Sequence, residues 1–289
     1  MTELLTELWA PFTYQYMAKA MWVSALVGAV CAFLSAYLML KGWSLMGDAL
    51  AHSIVPGVAG AYILGLPFAV GAFFAGILAS GAMAFVKQHT RLREDAVIGL
   101  VFTSLFALGL LMASIWPMSV SVQSIVLGNI LGISDEDVIQ VAVIAAVSLA
   151  VLTLKWKDLM VTFFDESHAR GMGLNTTLLR IMFFTLLSAC TVAALQTVGA
   201  CLVIAMVVTP GATAYLLTDR FGRLIVISMA IGATTSFVGA YISYFLDGAT
   251  GGVIVTLQSL LFVAAFYLAP KHGVLAARRR RSAVAEAAA

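Results

Sequence analysis

The chain has 289 residues, of which 62% are hydrophobic and only 10% are charged, and its formal net charge is +2. Soluble domains carry about 25% charged residues, and disordered chains combine high charge with low hydrophobicity, so both classes are excluded. Apolar runs of about 20 residues fit helices that cross a bilayer, whereas barrel strands alternate over about 10 residues. The sequence therefore predicts an all-α, polytopic helical membrane protein.

The predicted elements begin with an interfacial N-terminal segment, 1–17, which is rich in aromatic residues. The transmembrane domain covers 18–270, and a basic tail, 271–289, follows it. The second apolar run is short for a full crossing, so nine crossings, or eight and a partial one, both remain open. The runs lie at 18–40, 49–65, 66–87, 96–116, 138–154, 178–195, 198–217, 223–246 and 252–269.

Lysine and arginine residues concentrate in alternate connections, whereas the connections 117–137 and 247–251 contain none. Cytoplasmic loops of membrane proteins carry an excess of Lys and Arg, so the basic connections and the C-terminus are predicted to face the cytoplasm. The run Arg278–Arg281 is predicted to contact membrane lipid, and a nucleic-acid partner is not expected. The basic connections lie at 87–93, 155–180, 220–223 and 271–281.

Two connections are long enough to do more than join helices. The predicted cytoplasmic one, about 155–177, is amphipathic and includes Asp165, Glu166 and His168. The predicted external one ends in Ser134-Asp-Glu-Asp, which is typical of a helix N-terminus capped by the serine.

A few polar residues interrupt the apolar runs. Cys31, Cys190 and Cys201 show no metal-type spacing and are predicted to be small buried residues. Gln196 and Gln258 are predicted to form hydrogen bonds between helices, and a place on a cation path stays open for Gln196.

The stretch 41–57, KGWSLMGDALAHSIVPG, is the most informative for function. Asp48 and His52 stand four residues apart, which places a carboxylate and an imidazole on one face of a helix. A charged Asp inside a membrane helix costs about 2.5–3.5 kcal/mol on insertion scales, and a bound cation would offset that cost. Pro56 has no N–H, so the carbonyl of His52 is predicted to lose its helical donor. Together these features predict a cation site.

A purely structural role stays open for the same residues. Asp48 would cap a helix that starts at Ala49, and its position near the predicted cytoplasmic end of its run favours this interpretation. A helix that starts deep in the membrane would favour the cation site instead.

Proline–glycine pairs interrupt two of the apolar runs, at Pro56-Gly57 and at Pro210-Gly211. Proline removes a hydrogen bond from the helix ladder, so both pairs are predicted bending points. Gly47 and Gly57 are also predicted to let neighbouring helices approach closely.

The chain carries no enzyme signature. The dipeptide Gly-Lys of a phosphate-binding loop does not occur, nor do the His-Glu-x-x-His and Gly-x-Ser-x-Gly motifs. The prediction is a conduit rather than an enzyme, with energy supplied by an ion gradient or by another subunit.

Three stretches carry a family resemblance: LKGWSLMGDALAHSIVPGVAGAYILG at 40–65, VGACLVIAMVVTPGATAYLLTD at 198–219 and FDESHARGMG at 164–173. Together they resemble the permease subunits of bacterial ABC-type importers of manganese, zinc and iron, also called ABC-3 metal permeases. The resemblance runs from about residue 12 to about residue 270 and implies an ABC importer permease fold in the bacterial cytoplasmic (inner) membrane.

The resemblance also implies partners and roles. Cytoplasmic ATP-binding subunits dock on the coupling segment, an external or periplasmic metal-binding protein delivers the ion, and a second permease copy or homologue completes a dimer. Asp48 and His52 correspond to the family's metal site. The coupling segment maps onto Asp165, Glu166, Ala169 and Gly173. His168 and Met172 depart from the family pattern, so contacts there are expected to differ.

The ligand types limit the choice of metal. An oxygen–nitrogen pair without a thiolate suits Mn(II), Fe(II) or Zn(II) and argues against Cu(I). The wording KGWSLMGDALAH resembles the manganese and iron branch more than the zinc branch. The predicted cargo is therefore Mn(II), with Fe(II) and Zn(II) as alternatives, and no permanently bound cofactor is predicted.

Three rival functions remain to be separated. An ion-gradient-driven secondary transporter would take up metal without an ATPase, but acidic residues are scarce within the runs. An importer of a chelated metal or vitamin would need a wide cavity rather than small-ion ligands. An intramembrane enzyme would need a nucleophile–base pair, which the sequence does not offer.

Overall fold

The computed structural model describes residues 9–43, 45–116, 132–269 and 273–274. Within these ranges the elements are helices and no strand occurs, which confirms the all-α class. Among the described residues, seven helices are long and apolar enough to cross a membrane, which confirms the polytopic prediction. In chain order the helices are α1 (Gln15–Lys41), α2 (Met46–Ser53), α3 (Val55–Leu64), α4 (Phe68–His89), α5 (Glu94–Ile115), α6 (Asp135–Phe164), α7 (Glu166–Gly171), α8 (Thr176–Val198), α9 (Ala200–Leu217), α10 (Phe221–Leu246) and α11 (Thr250–Leu268).

Besides these seven helices, two further apolar segments correspond to predicted runs: α9, and α2 together with α3. α9 is an apolar helix of 18 residues. α2 and α3 have 8 and 10 residues with only Ile54 between them. Together they extend about 28 Å at 1.5 Å per residue, close to the roughly 30 Å of a bilayer core. The run predicted at 49–65 is thus two short helices, and it begins earlier, at Met46.

α1 is the central helix of the bundle. In its most apolar 18-residue stretch, 72% of the residues are buried within the protein. Gly28 lies so close to α10 that an added Cβ would stand 2.5 Å from the carbonyl oxygen of Gly232. Such small residues let backbones approach, which is how membrane helices pack without a hydrophobic driving force between them.

The outer helices present apolar side chains away from the bundle. Only 11% of the corresponding stretch of α11 and 22% of that of α5 are buried within the protein. Apolar side chains on such faces fit a lipid environment, in which a helix pairs most of its backbone groups internally.

The three basic connections that the structure describes, 87–93, 155–180 and 220–223, lie at one end of the bundle, which we call the basic end. It contains the C-termini of α1 and α4 and the N-termini of α5 and α8. The predicted loop 155–177 is wrong in part, because α6 continues to Phe164 and α7 is itself helical. α6 stays helical there since its residues keep packing inward: Leu159, Thr162 and Phe163 are all buried.

Several smaller predictions are confirmed. Ser134 caps α6 by accepting the backbone N–H of Asp137 at 3.1 Å. Gln258 is buried in α11, and its Nε2 donates to Thr235 Oγ1 of α10 at 3.1 Å.

Cys31 and Cys190 are free and buried, as expected for small apolar residues. The Cys190 thiol donates to the hydroxyl of Ser148 at 3.3 Å.

Some predictions fall outside the described residues. These are the first eight residues of the segment 1–17, the part 117–131 of the external connection, and the tail including Arg278–Arg281. The side chains of Gln196 and Cys201 are likewise outside the description.

Candidate functional site

The short helix α2 carries the predicted cation-binding pair. It starts where the backbone N–H of Met46 donates to the carbonyl of Trp43 at 3.2 Å, and that of Ala49 donates to Leu45 at 2.9 Å. Its apolar face, which includes Leu50, is buried, whereas Asp48 and His52 lie on the more open side.

Asp48 is not a helix cap. The N-cap position belongs to Leu45, and Asp48 is the third residue of the helix. The prediction of a helix that starts at Ala49 is therefore wrong, because Met46 and Gly47 pack inward and adopt helical conformation with the residues that follow. A carboxylate in the first turn is still favoured by the positive end of the helix dipole.

Asp48 and His52 meet across one helical turn. The Nε2 of His52 lies 3.2 Å from the Oδ1 of Asp48. The side chains are 30% exposed for His52 and 36% exposed for Asp48. The imidazole packs against two rings of α5, with centroid distances of 5.6 Å to Phe102 and 5.3 Å to Phe106.

The neighbours of the pair place it well inside the apolar length of the bundle. Phe102 and Phe106 follow Glu94, the first residue of α5, by 8 and 12 residues, which corresponds to about 12–18 Å along the helix. An added Cβ on Gly47 would stand 2.9 Å from Val207, which precedes the end of α9 by ten residues, or about 15 Å. The His52 ring therefore lies roughly two to three helical turns into the bundle from the basic end, whereas α2 itself begins closer to that end, where Met46 lines a cavity with Lys87 and Glu94.

The chain breaks its helix just beyond the pair, at Ile54. Pro56 lies in the first turn of α3, where its missing N–H costs nothing. The His52 carbonyl, predicted to lack a donor, accepts the backbone N–H of Ile54 instead. The closeness expected at Gly57 is observed: an added Cβ would stand 2.1 Å from the carbonyl oxygen of Gly71 in α4.

A single chain offers few metal ligands beside the Asp48–His52 pair. Across the described ranges, from residue 9 to 274 with their gaps, no group of three or more His, Cys, Asp or Glu side chains is arranged to hold a metal ion. Asp48 and His52 supply two ligands on a partly open face. A divalent transition metal takes four to six ligands, so water or another chain would have to supply the rest.

The second proline–glycine pair behaves differently from the first. Pro210 lies inside α9, which continues through it to Leu217. The hydroxyl of Ser35 in α1 donates to the carbonyl of Val208 at 3.1 Å and accepts the N–H of Gly211 at 3.0 Å. A side chain from the neighbouring helix therefore satisfies backbone groups beside the proline.

The predicted coupling segment forms the helix α7 and the turn after it, at the basic end. Asp165 caps α7 by accepting the N–H of His168 at 3.0 Å. Ala169 is fully buried, and its carbonyl accepts the N–H of Leu174 at 3.1 Å. Gly173 has a φ of +81°, a left-handed conformation that favours glycine and ends the helix.

His168 and Met172, which are expected to depart from the family pattern, are both exposed. A difference at either position would affect the surface of the segment rather than its packing.

Glu166 ties α7 to α8. Its carboxylate accepts hydrogen bonds from Arg170 at 2.5 Å and from Arg180. Partial burial disfavours the charged carboxylate, but the two guanidinium groups outweigh that effect and hold the pKa of Glu166 below its ordinary value.

A cavity of about 160 Å³ lies between α7 and the start of α2. Its floor is apolar, and its rim is charged. The lining residues include Lys41, Trp43, Met46, Lys87, Glu94, Glu166, Arg180 and Phe184.

Sequence reasoning missed the aromatic surroundings of the pair, Phe102 and Phe106, and the contacts of Trp43. In an apolar run a phenylalanine carries no signal that separates a lipid-facing ring from one that contacts a histidine. Only the four-residue spacing of Asp48 and His52 was informative.

The comparisons with known proteins agree with one another. A family model described as the ABC 3 transport family matches residues 13–269. The chain is 70% identical to the chelated iron transport system membrane protein YfeC of Yersinia pestis, over 97% of this chain and 94% of that protein. It is 49% identical to the manganese transport system membrane protein MntB of Synechocystis sp., over 94% and 89% of the two chains.

A solved structure is also similar. The structure of PsaBC from Streptococcus pneumoniae in complex with Fab has a TM-score of 0.83 to this chain at 33% identity, and the match covers 93% of this chain and 97% of that one.

Proposed function

The chain belongs to the ABC-3 transport family, and we propose that it is the membrane-spanning permease subunit of an ATP-driven importer of divalent transition metal ions, with Mn(II) or Fe(II) as cargo. As a permease subunit it is not an enzyme, and a separate subunit hydrolyses ATP. It is a multi-pass protein of the inner membrane that works with ATP-binding and metal-binding partner proteins.

The observation that carries the proposed chemistry is the Asp48–His52 pair. It combines a carboxylate and an imidazole 3.2 Å apart, at membrane depth and on a partly open face. In this proposal the two side chains replace water ligands of the ion as it crosses. A hard oxygen and a borderline nitrogen hold Mn(II) weakly, which suits a site that must release its ion again.

A second permease copy or homologue would complete the site. One pair supplies two ligands, whereas two facing pairs supply four, the number that a small divalent ion needs before water is counted. The exposure of Asp48 and His52 in the single chain supports this arrangement, because a ligand shared between chains must lie open in each.

The coupling segment would contact the ATP-binding subunit. In this proposal the basic end and the C-terminus face the cytoplasm, and Asp165, Glu166, Ala169 and Gly173 shape the docking surface. Asp165 caps the start of α7, and Gly173 forms the turn after its end. Ala169 packs α7 against the protein, and Glu166 pairs with Arg180 of α8. A force on α7 is therefore passed to the membrane helices.

Metal uptake by the reconstituted transporter tests the proposal. Proteoliposomes containing the permease, its ATP-binding subunit and the loaded metal-binding protein are supplied with ATP and radioactive Mn(II). We expect Asp48→Asn and His52→Gln each to lower uptake by about 100-fold, the upper end of the effect of losing a residue that only supports a metal ligand. Asp95→Asn and His89→Gln, which change the same residue types away from the pair, serve as matched controls.

Each rival function has its own outcome in this assay. Uptake without ATP and driven by a proton or sodium gradient would establish a secondary transporter. Competition by a metal chelate but not by free Mn(II) would indicate a chelate importer. Undiminished uptake by the Asp48→Asn/His52→Gln double variant would remove the pair from the transport path.

A further inference from the structure

Trp43 lies in the connection between α1 and α2 and contacts several helices. The backbone N–H of Trp43 donates to the carbonyl of Leu38 at 2.8 Å, and its carbonyl accepts the N–H of Met46 at 3.2 Å. Trp43 therefore bonds the last turn of α1 to the first residue of α2. Asp48 follows only two residues after Met46.

The indole ring of Trp43 is held by side chains from other helices. Its Nε1–H donates to Glu94 at the start of α5. The ring stacks on Phe184 of α8, with a centroid distance of 5.5 Å and an interplanar angle of 18°. It also packs edge-on against Phe163 of α6 at 5.7 Å.

These aromatic partners flank the coupling segment. Phe163 precedes Asp165, the cap of α7, by two residues. Phe184 follows Arg180 by four residues, one helical turn, and Arg180 is paired with Glu166 of α7. A displacement of α7 must therefore shift the end of α6 or the first turns of α8, both of which touch the ring of Trp43.

α2 is a separate short helix. It has eight residues, and the break at Ile54 separates it from α3. Toward α9 it presents Gly47, which meets Val207 so closely that an added Cβ would stand 2.9 Å from that side chain. A movement of Trp43 would therefore tilt α2 about Ile54 and carry Asp48 and His52 with it.

We infer that Trp43 is a positioning residue that transmits the movement of α7 to the Asp48–His52 pair, a role that rests on the proposed transport function. The ring receives the movement through Phe163 and Phe184, and the backbone of Trp43 passes it to Met46. Glu94 anchors the indole from α5, so that α2 moves relative to Phe102 and Phe106.

The test measures Mn(II) uptake per ATP hydrolysed in proteoliposomes that contain the complete transporter. A residue that only stabilises the fold lowers uptake and ATP hydrolysis together and leaves their ratio unchanged. For Trp43→Ala we expect the ratio to fall by about tenfold, a typical size for coupling between two sites. Trp43→Phe keeps the ring but loses the N–H donor, so we expect a fall of about threefold.

Two further variants make the test specific. Phe221→Ala truncates another half-buried aromatic residue at the basic end, one that packs on Tyr37 and not on Trp43, and should leave the ratio unchanged. The effects of Glu94→Ala and Trp43→Phe on the ratio should combine less than additively, since both remove the hydrogen bond between Trp43 and Glu94, while Glu94→Ala also removes the ion pair with Lys87 at 3.6 Å.

The outcomes separate this inference from the proposed function. If the wild-type complex shows no ATP-driven Mn(II) uptake, the proposed function is wrong. If it transports Mn(II) and both Trp43 variants keep the wild-type ratio, the role of Trp43 is overturned while the function stands. Should Trp43→Ala not assemble, Trp43→Phe and its double variant decide.

Discussion

The two proline–glycine pairs lie in similar apolar sequence, yet the backbone responds to them differently. At Pro56 the helix is divided into α2 and α3, and the neighbouring Ser53 hydroxyl is buried with no hydrogen-bond partner among the described residues. At Pro210 the helix α9 continues, and Ser35 of α1 bonds to backbone groups on both sides of the proline.

The difference teaches that a proline alone does not decide where a membrane helix breaks. What differs is whether a polar side chain of a neighbouring helix bonds to the backbone on both sides of the proline, as Ser35 does at Val208 and Gly211. At Pro56 the chain forms two separate helices, α2 and α3. At Pro210 the helix α9 is continuous and is hydrogen-bonded to the central helix α1 through Ser35.

The largest effect is expected from a substitution that spoils the packing around Pro56. In Gly57→Ala the new Cβ would stand 2.1 Å from the backbone oxygen of Gly71, so α3 and α4 must separate. We expect a loss of about 3 kcal/mol in the free energy of unfolding, the upper range for overpacking. Thermal unfolding in detergent measures it, with Gly81→Ala, where no atom lies within 4 Å, as the control. Equal unfolding temperatures would contradict the close packing.

Removing the first proline should affect transport more than stability. In Pro56→Ala the regained N–H favours one continuous helix through Ile54, which would prevent α2 from moving alone. We expect Mn(II) uptake to fall by about tenfold, a typical coupling between distant sites. The thermal unfolding temperature should not fall. Wild-type uptake would show that the break at Ile54 is not used.

Removing the hydrogen bonds that Ser35 makes beside Pro210 should have a moderate effect on stability. Ser35→Ala removes both hydrogen bonds that the hydroxyl makes with the backbone of α9, and we expect a loss of about 1–2 kcal/mol. Ser104→Ala is a suitable control because that hydroxyl donates only to Leu100 within its own helix. If both variants unfold alike, the bond across α1 and α9 contributes nothing measurable.

The smallest effect is expected when the second proline itself is removed. Since α9 is already continuous, Pro210→Ala should change the free energy of unfolding by less than about 1 kcal/mol, in either direction. Chemical unfolding curves of the two proteins can be compared directly. A destabilisation several times larger would mean that Pro210 stabilises a backbone conformation of α9 that alanine does not stabilise.

Much of the fold could be predicted because hydropathy and charge act over long stretches. The apolar runs mark each long helix, and Ser134 marks the start of α6 through ordinary capping chemistry. The end of α6 could not be located, because Lys155 and Lys157 make the stretch look like a loop although Leu159 and Phe163 remain buried.

The candidate site could be predicted only as a pair of residues. The spacing of Asp48 and His52 indicates a common helix face, but not how deep that helix begins, which depends on where Gly47 meets Val207 in α9. Similarly, Ser35 is far from Pro210 in sequence, so no local pattern reveals that it bonds beside the proline. Assignment of a metal to the pair, and of the docking role to α7, stays a prediction.

The enclosed thiols of α1 and α8 make the chain a convenient framework for spectroscopic labelling. Cys31 and Cys190 are shielded from solvent, so a bulky maleimide probe would leave them unmodified in the folded protein. With Cys201 replaced, one cysteine introduced at Met172 and another at Asp95 could carry a donor and an acceptor dye. The distance between α7 and α5 could then be followed in real time through each round of ATP turnover.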